Sequence, residues 1–103
     1  MAGFRMLIQF RMPVFQNGKE KRQYLKSIAM EMDKEYNRHV SGLGDWPLMI
    51  QVVEGDQPER CALFVGKVLE PNEDPGSTMD DIIAFARGNL ALRIERAERV
   101  LFD

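Results

Sequence analysis

The chain has 103 residues, 45% apolar and 29% charged, with a formal charge of −2; this composition excludes intrinsic disorder and leaves room for one core and no second domain. A lone cysteine, Cys61, and a lone histidine, His39, exclude an internal disulfide and a cysteine/histidine zinc site, and suit a reducing compartment. The first residues lack the apolar run of about 7–15 residues of a secretory signal and no stretch approaches the roughly 20 needed to span a bilayer, so one cytoplasmic domain over residues 1–103 is expected, with no membrane partner.

Phe4, Met6, Ile8, Phe10 and Met12 alternate with Arg5, Leu7, Gln9 and Arg11, which predicts a half-buried strand. Pro13 has no N–H and would end its ladder. After Asn17-Gly18 the period becomes helical: Leu25, Ile28, Ala29, Met32 and Tyr36 share one face, and a helix is expected over about 19–39. A loop bearing Gly42, Gly44 and Pro47 leads to a second strand, Leu48–Val53. Residues 54–60 form a turn to a third strand, Cys61–Val68, expected to pair with the second as an antiparallel hairpin.

Ser77 or Thr78, standing before Asp80 and Asp81, reads as the cap of a second helix. That helix is expected from about 79 to 101, with Met79, Ile83, Ala86, Leu90, Ile94, Ala97 and Leu101 as its inward stripe. Gly88 would permit a kink or a close approach, and Val100–Phe102 could instead leave as a fourth strand. The expected fold class is α+β: a two-layer sandwich in which an antiparallel sheet of three or four strands carries two helices on one face, in the β-α-β-β-α(-β) ferredoxin-like order.

Candidate chemistry is sparse. His39 falls on the core side of the first helix at its C-terminal end, where a general base is conceivable, with Tyr36 and Arg11 as companion polar contacts; the alternative for His39 is a core-edge residue facing the negative end of the helix dipole. Cys61 reads as a small buried hydrophobe. Ser41, Ser77 and Thr78 sit in loop and cap positions, Gly42-x-Gly44 lacks the rest of a phosphate loop, and the carboxylates at 70–74 and 80–81 match no EF-hand spacing. No metal site or cofactor is expected.

Two surfaces remain. Arg5 and Arg11 line the polar face of the first strand, and an exposed Phe64 could stack a base beside them, although the pI of about 5.4 argues against nucleic acid. On the second helix Phe85 and Leu92 lie seven residues apart, opposite the core stripe, with Asn89 and Arg96 near them. A helix apolar on two sides wants two partners. Trp46 beside Pro47 is a further contact anchor. Charge is segregated: residues 1–40 carry eight basic and four acidic side chains, residues 41–81 two and nine, which suits self-association.

The segments Met6-Leu-Ile-Gln-Phe-Arg-Met12 and Gly44-Asp-Trp-Pro-Leu-Met-Ile-Gln-Val-Val53 resemble the small dimeric α/β-barrel proteins, muconolactone isomerase among them, over about a fifth of the chain. The resemblance implies a dimer with a small-molecule pocket and carries over no catalytic residue; a long charged helix ending near Phe102 departs from that family's strand-rich second half. The leading expectation is a non-enzymatic interaction or regulatory module, homodimeric or bound to another protein. A dimeric-barrel enzyme or ligand binder is the alternative, and an RNA-binding sheet the third.

Overall fold

The alternation of residues 4–12 becomes the central strand β1 (Gly3–Arg11) in a computed structural model that describes residues 2–38, 46–55, 57 and 59–103. Helix α1 (Gly18–Asn37), the hairpin strands β2 (Met49–Glu54) and β3 (Arg60–Val68), helix α2 (Pro75–Gly88) and strand β4 (Arg93–Phe102) follow. The fold is α+β: an open antiparallel sheet of four strands in the order β2-β3-β1-β4, with two helices.

Strand period dictates which residues meet the helices. Phe4, Met6, Ile8 and Phe10 of β1 and Cys61, Leu63 and Val65 of β3 form one buried cluster with Ile28 and Met32 of α1 and Met79, Ile82 and Ala86 of α2. Each fully buried Phe, Leu or Ile contributes about 1.5–3 kcal/mol. Among the described residues no helix lies over the opposite face of the sheet.

The first helix starts where Asn17 allows. Its Oδ1 accepts the Glu20 N–H at 2.9 Å, satisfying a donor that the first turn leaves free. At the other end Asn37 latches the chain into β2: its Oδ1 accepts the Leu48 N–H at 2.7 Å and its Nδ2 donates to the Leu48 carbonyl at 2.9 Å.

The second helix differs from expectation at both ends. It is capped by Asp74, whose Oδ2 accepts the Ser77 N–H at 3.0 Å, rather than by Ser77 or Thr78. Pro75 takes the first helical position, where its fixed φ is already helical and its missing N–H costs nothing. The helix ends at Gly88 with Asn89 as C-cap instead of running to 101. Ala91 adopts φ 53°, and the chain turns back as β4 to pair with β1 along its whole length.

A bulge explains why β4 looked helical. Opposite Gln9 and Phe10 stand Arg96 and Ile94, leaving Glu95 as the extra residue. Ile94 and Ala97 are three apart and would face opposite sides of a regular strand, yet the bulge sets them opposite Phe10 and Ile8, both of which point into the core. An i, i+3, i+7 stripe through Leu101 is therefore shared by a helix and by this bulged strand. The second outward stripe on that helix does not exist: Phe85 is in α2, Asn89 caps it, Leu92 lies in the turn and Arg96 is in β4. Among the described residues no helix is long and apolar enough to cross a membrane.

Candidate functional site

The uncovered sheet face is read most directly as rows across the strands. Val68, Gly3 and Phe102 form the first row; Met49, Gly66, Arg5 and Val100 the second; Gln51, Phe64, Leu7 and Glu98 the third; Val53, Ala62, Gln9 and Arg96 the fourth. The last row brings Arg60, Arg11 and Arg93 side by side.

The first two rows each contain a glycine, with opposite consequences. Any Cβ on Gly3 would collide with the Phe102 ring, so the absence of a side chain there is what lets Phe102 fold down over β1. Gly66 has no such occupant. A Cβ there would meet only the Phe4 carbonyl at 3.4 Å and Arg5 Cγ at 3.5 Å, so the side-chain layer has a gap. Around it stand Trp46, Met49, Phe64, Arg5 and Phe102, lining a groove of about 710 Å³. Its walls are apolar and solvent-facing: Met49 is 67% exposed, Trp46 49% and Phe64 42%.

Charge on this face is partly self-neutralised, with five arginines, Arg5, Arg11, Arg60, Arg93 and Arg96, beside Glu95 and Glu98. The bulge residue Glu95 reaches both Arg11 (3.6 Å) and Arg60 (3.7 Å), which relieves the crowding in the arginine row, and Arg96 pairs with Glu98 at 2.7 Å. Lys67 at the groove margin is held by Glu73 at 2.6 Å. Arg5 and Arg93 are the arginines of the face without an ion pair among the described residues. Arg93 begins an edge strand, whereas Arg5 lies across Gly66 inside the groove, with its guanidinium 5.8 Å from the Phe102 ring centroid.

The residues singled out in the sequence are dispersed by the fold. Arg5, Arg11 and Phe64 do share one face, the open one. Tyr36 and Arg11 do not meet: Tyr36 belongs to the helical layer, packing against the core cluster, and Arg11 to the opposite side of the sheet. His39 lies outside the described residues, as do Ser41, Gly42 and Gly44. The Tyr36 hydroxyl donates to Asp81 Oδ2 at 2.8 Å and its ring meets Phe85 edge-on at 5.6 Å. Burial, the hydrogen bond to Asp81 and the nearby Asp81 and Glu35 charges all raise its pKa well above the ordinary value, so it ties α1 to α2 and stays protonated.

Phe85 is thus half-buried between the helices, and Leu92 is 3% exposed. As a shared outward stripe they are corrected: Leu92 is buried in the domain's own core and Phe85 packs partly against it. Arg96 and Trp46 stay accessible, the one on the open face and the other at the groove. The acidic run has internal work as well, with Glu73 on Lys67, Asp74 as cap, and Asp80 on Arg99 at 2.7 Å. Burial pushes the Cys61 thiol up, only partly countered by Lys21 and the Gly55 N–H, which keeps it a thiol rather than a nucleophilic thiolate.

Sequence reasoning missed Met49, Gly66, Val100 and Phe102 as a group. The signal available was Gly66 interrupting the apolar third strand, but its meaning depends on the register that sets it between Met49 and Arg5. No known family model matches the chain, and no curated protein matches it.

Proposed function

We propose that this protein is a small interaction module that pairs with a second copy of itself through the open face of its sheet, within a ferredoxin-like arrangement. The observation that carries the reading is the exposed apolar cluster of Trp46, Met49, Phe64, Val100 and Phe102 on a face that no helix among the described residues covers. Exposed apolar patches of this kind mark interaction sites. Element order β-α-β-β-α-β, with β1 and β3 central, supports the ferredoxin-like arrangement.

Size favours a second copy. Four strands about 4.8 Å apart and roughly nine residues long project an area of about 500–600 Å², so two facing sheets would bury about 1,100 Å², past the roughly 1,000 Å² expected of a specific interface. The test is solution mass by light scattering for wild type and Phe64→Asp, a change at an exposed position. A dimer that becomes monomeric in the variant supports the pairing; a wild-type monomer across the concentration series refutes it.

One observation favours a second reading, an RNA-binding sheet: Arg5, Arg11 and Phe64 share the face. It predicts salt-dependent binding of single-stranded RNA that is lost when both arginines become glutamate. Absence of binding at low salt removes it.

A further inference from the structure

We propose that the Gly66 groove is a binding site for an apolar monocarboxylate, with the carboxylate on Arg5 and the apolar body against Trp46, Met49, Phe64 and Phe102. The inference rests on the sheet-to-sheet pairing for the roof of the site, since a single sheet leaves the groove open to solvent.

Three observations converge. The first is a vacancy with a cause. Gly66 sits in cross-strand register between Met49 and Arg5, and the missing side chain opens the floor of a groove of about 710 Å³, within the roughly 300–1,000 Å³ of small-molecule sites. Packed sheets lie about 10 Å apart with interdigitating side chains. A facing copy would interdigitate with the side chains around the gap and leave the space over Gly66 itself to be filled by something else.

The second observation is the chemistry of the walls. One indole, two phenyl rings and a thioether present flat and adaptable apolar surface, which selects an aliphatic or aromatic body over a sugar or a nucleotide phosphate chain.

The third is the charge. Arg5 carries a permanent positive charge and has no ion pair among the described residues, whereas Lys67 beside it is already neutralised by Glu73. Covering an unpaired guanidinium with apolar surface is costly unless an anion comes with it. A ligand with one carboxylate and an apolar body meets both demands, with the planar guanidinium matching the carboxylate fork.

The experiment is calorimetric titration of the full chain with octanoate and with 2-naphthoate, using 1-octanol as the uncharged control, with mass followed by light scattering. Two variants accompany wild type. Gly66→Leu fills the gap at a position whose φ is outside the left-handed region and whose Cβ meets nothing closer than 3.4 Å. Arg5→Gln removes the charge and keeps most of the stem. The expected result is saturable binding of at least one carboxylate, abolished in Gly66→Leu at unchanged melting temperature and weakened about tenfold or more in Arg5→Gln, the loss of one charge-assisted contact, with octanol binding unaffected by Arg5→Gln.

A wild-type dimer that binds neither carboxylate overturns the ligand inference alone, and a wild-type monomer that binds neither overturns it together with the pairing. A monomer that binds with both variant dependences supports the site and removes the pairing. Binding undiminished in Gly66→Leu, or equally tight in Arg5→Gln, overturns the assignment of the groove and of its charge.

Discussion

Gly3 lies beneath the ring of Phe102, its partner across the β1–β4 ladder, so closely that no side chain fits between them. The contact holds the last residue of β4 onto the sheet and sets one wall of the groove. Gly3→Ala should therefore cost about 1–3 kcal/mol, the range for overpacking a filled site. Gly88→Ala, where a Cβ would meet nothing within 4 Å, should instead stabilise by about 0.5–1 kcal/mol through helix propensity. Chemical denaturation of both variants separates the two glycines; equal effects would contradict the packing at Gly3.

Removing the Asn37 latch is expected to loosen β2. The carboxamide makes two hydrogen bonds to the Leu48 backbone, and Asn37→Ala leaves both backbone groups short of a partner, at about 1–3 kcal/mol. Amide exchange should show the Leu48 N–H losing protection while β1 keeps its own. Unchanged protection at Leu48 would show that water replaces the side chain without loss.

Leu92→Asp should unfold the domain rather than release a partner. Leu92 is buried in the turn, its N–H bonded to the Ala86 carbonyl at 2.9 Å, and a carboxylate there would be desolvated without a partner, costing upwards of about 3 kcal/mol. Circular dichroism melting reads this directly. A variant with wild-type stability would place Leu92 on the surface and return residues 89–101 to a helix.

Alkali should destabilise the fold before tyrosine ionisation is visible in the native state. Burial raises the pKa of both Tyr36 and Tyr24, with the Asp81 hydrogen bond adding to the first. A raised folded pKa means that the native state holds the proton more tightly than the unfolded chain, so this contribution is undiminished below about pH 10, the ordinary tyrosine value, and is lost as pH rises above it. Absorbance at tyrosinate wavelengths, followed with denaturant stability from pH 8 to 12, tests the sign. A native-state transition centred at the ordinary value would refute the burial of both rings. Cys61, whose thiol is raised by the same cause, should react with an aromatic disulfide reagent only after denaturant opens the core.

Much of the fold is legible wherever one element's own pattern decides it. In β1 the Phe4, Met6, Ile8 and Phe10 alternation specifies both the strand and the face it buries. The stripe through Ile28 and Met32 does the same for α1, and Asn17 marks its start by a bond only three residues long. Where the reading failed, local preference and tertiary need disagreed. Residues 93–102 hold three Arg and two Glu, which favour helix, and the Glu95 bulge replaces alternation with a helix-like spacing.

The sequence by itself determined the class of the domain, its apolar core on one side of an alternating strand, the first helix and the β2–β3 hairpin, because each follows from periods of 2 or 3.6 and from caps acting over a few residues. Only the tertiary structure decided that residues 93–102 form a strand: β1 has N–H and C=O groups along both edges, β3 satisfies one edge, and β4 is what satisfies the other. Register likewise decided that Gly66 would stand between Met49 and Arg5. A gap made by three residues drawn from three strands is a property of their alignment, and no stretch of sequence contains it.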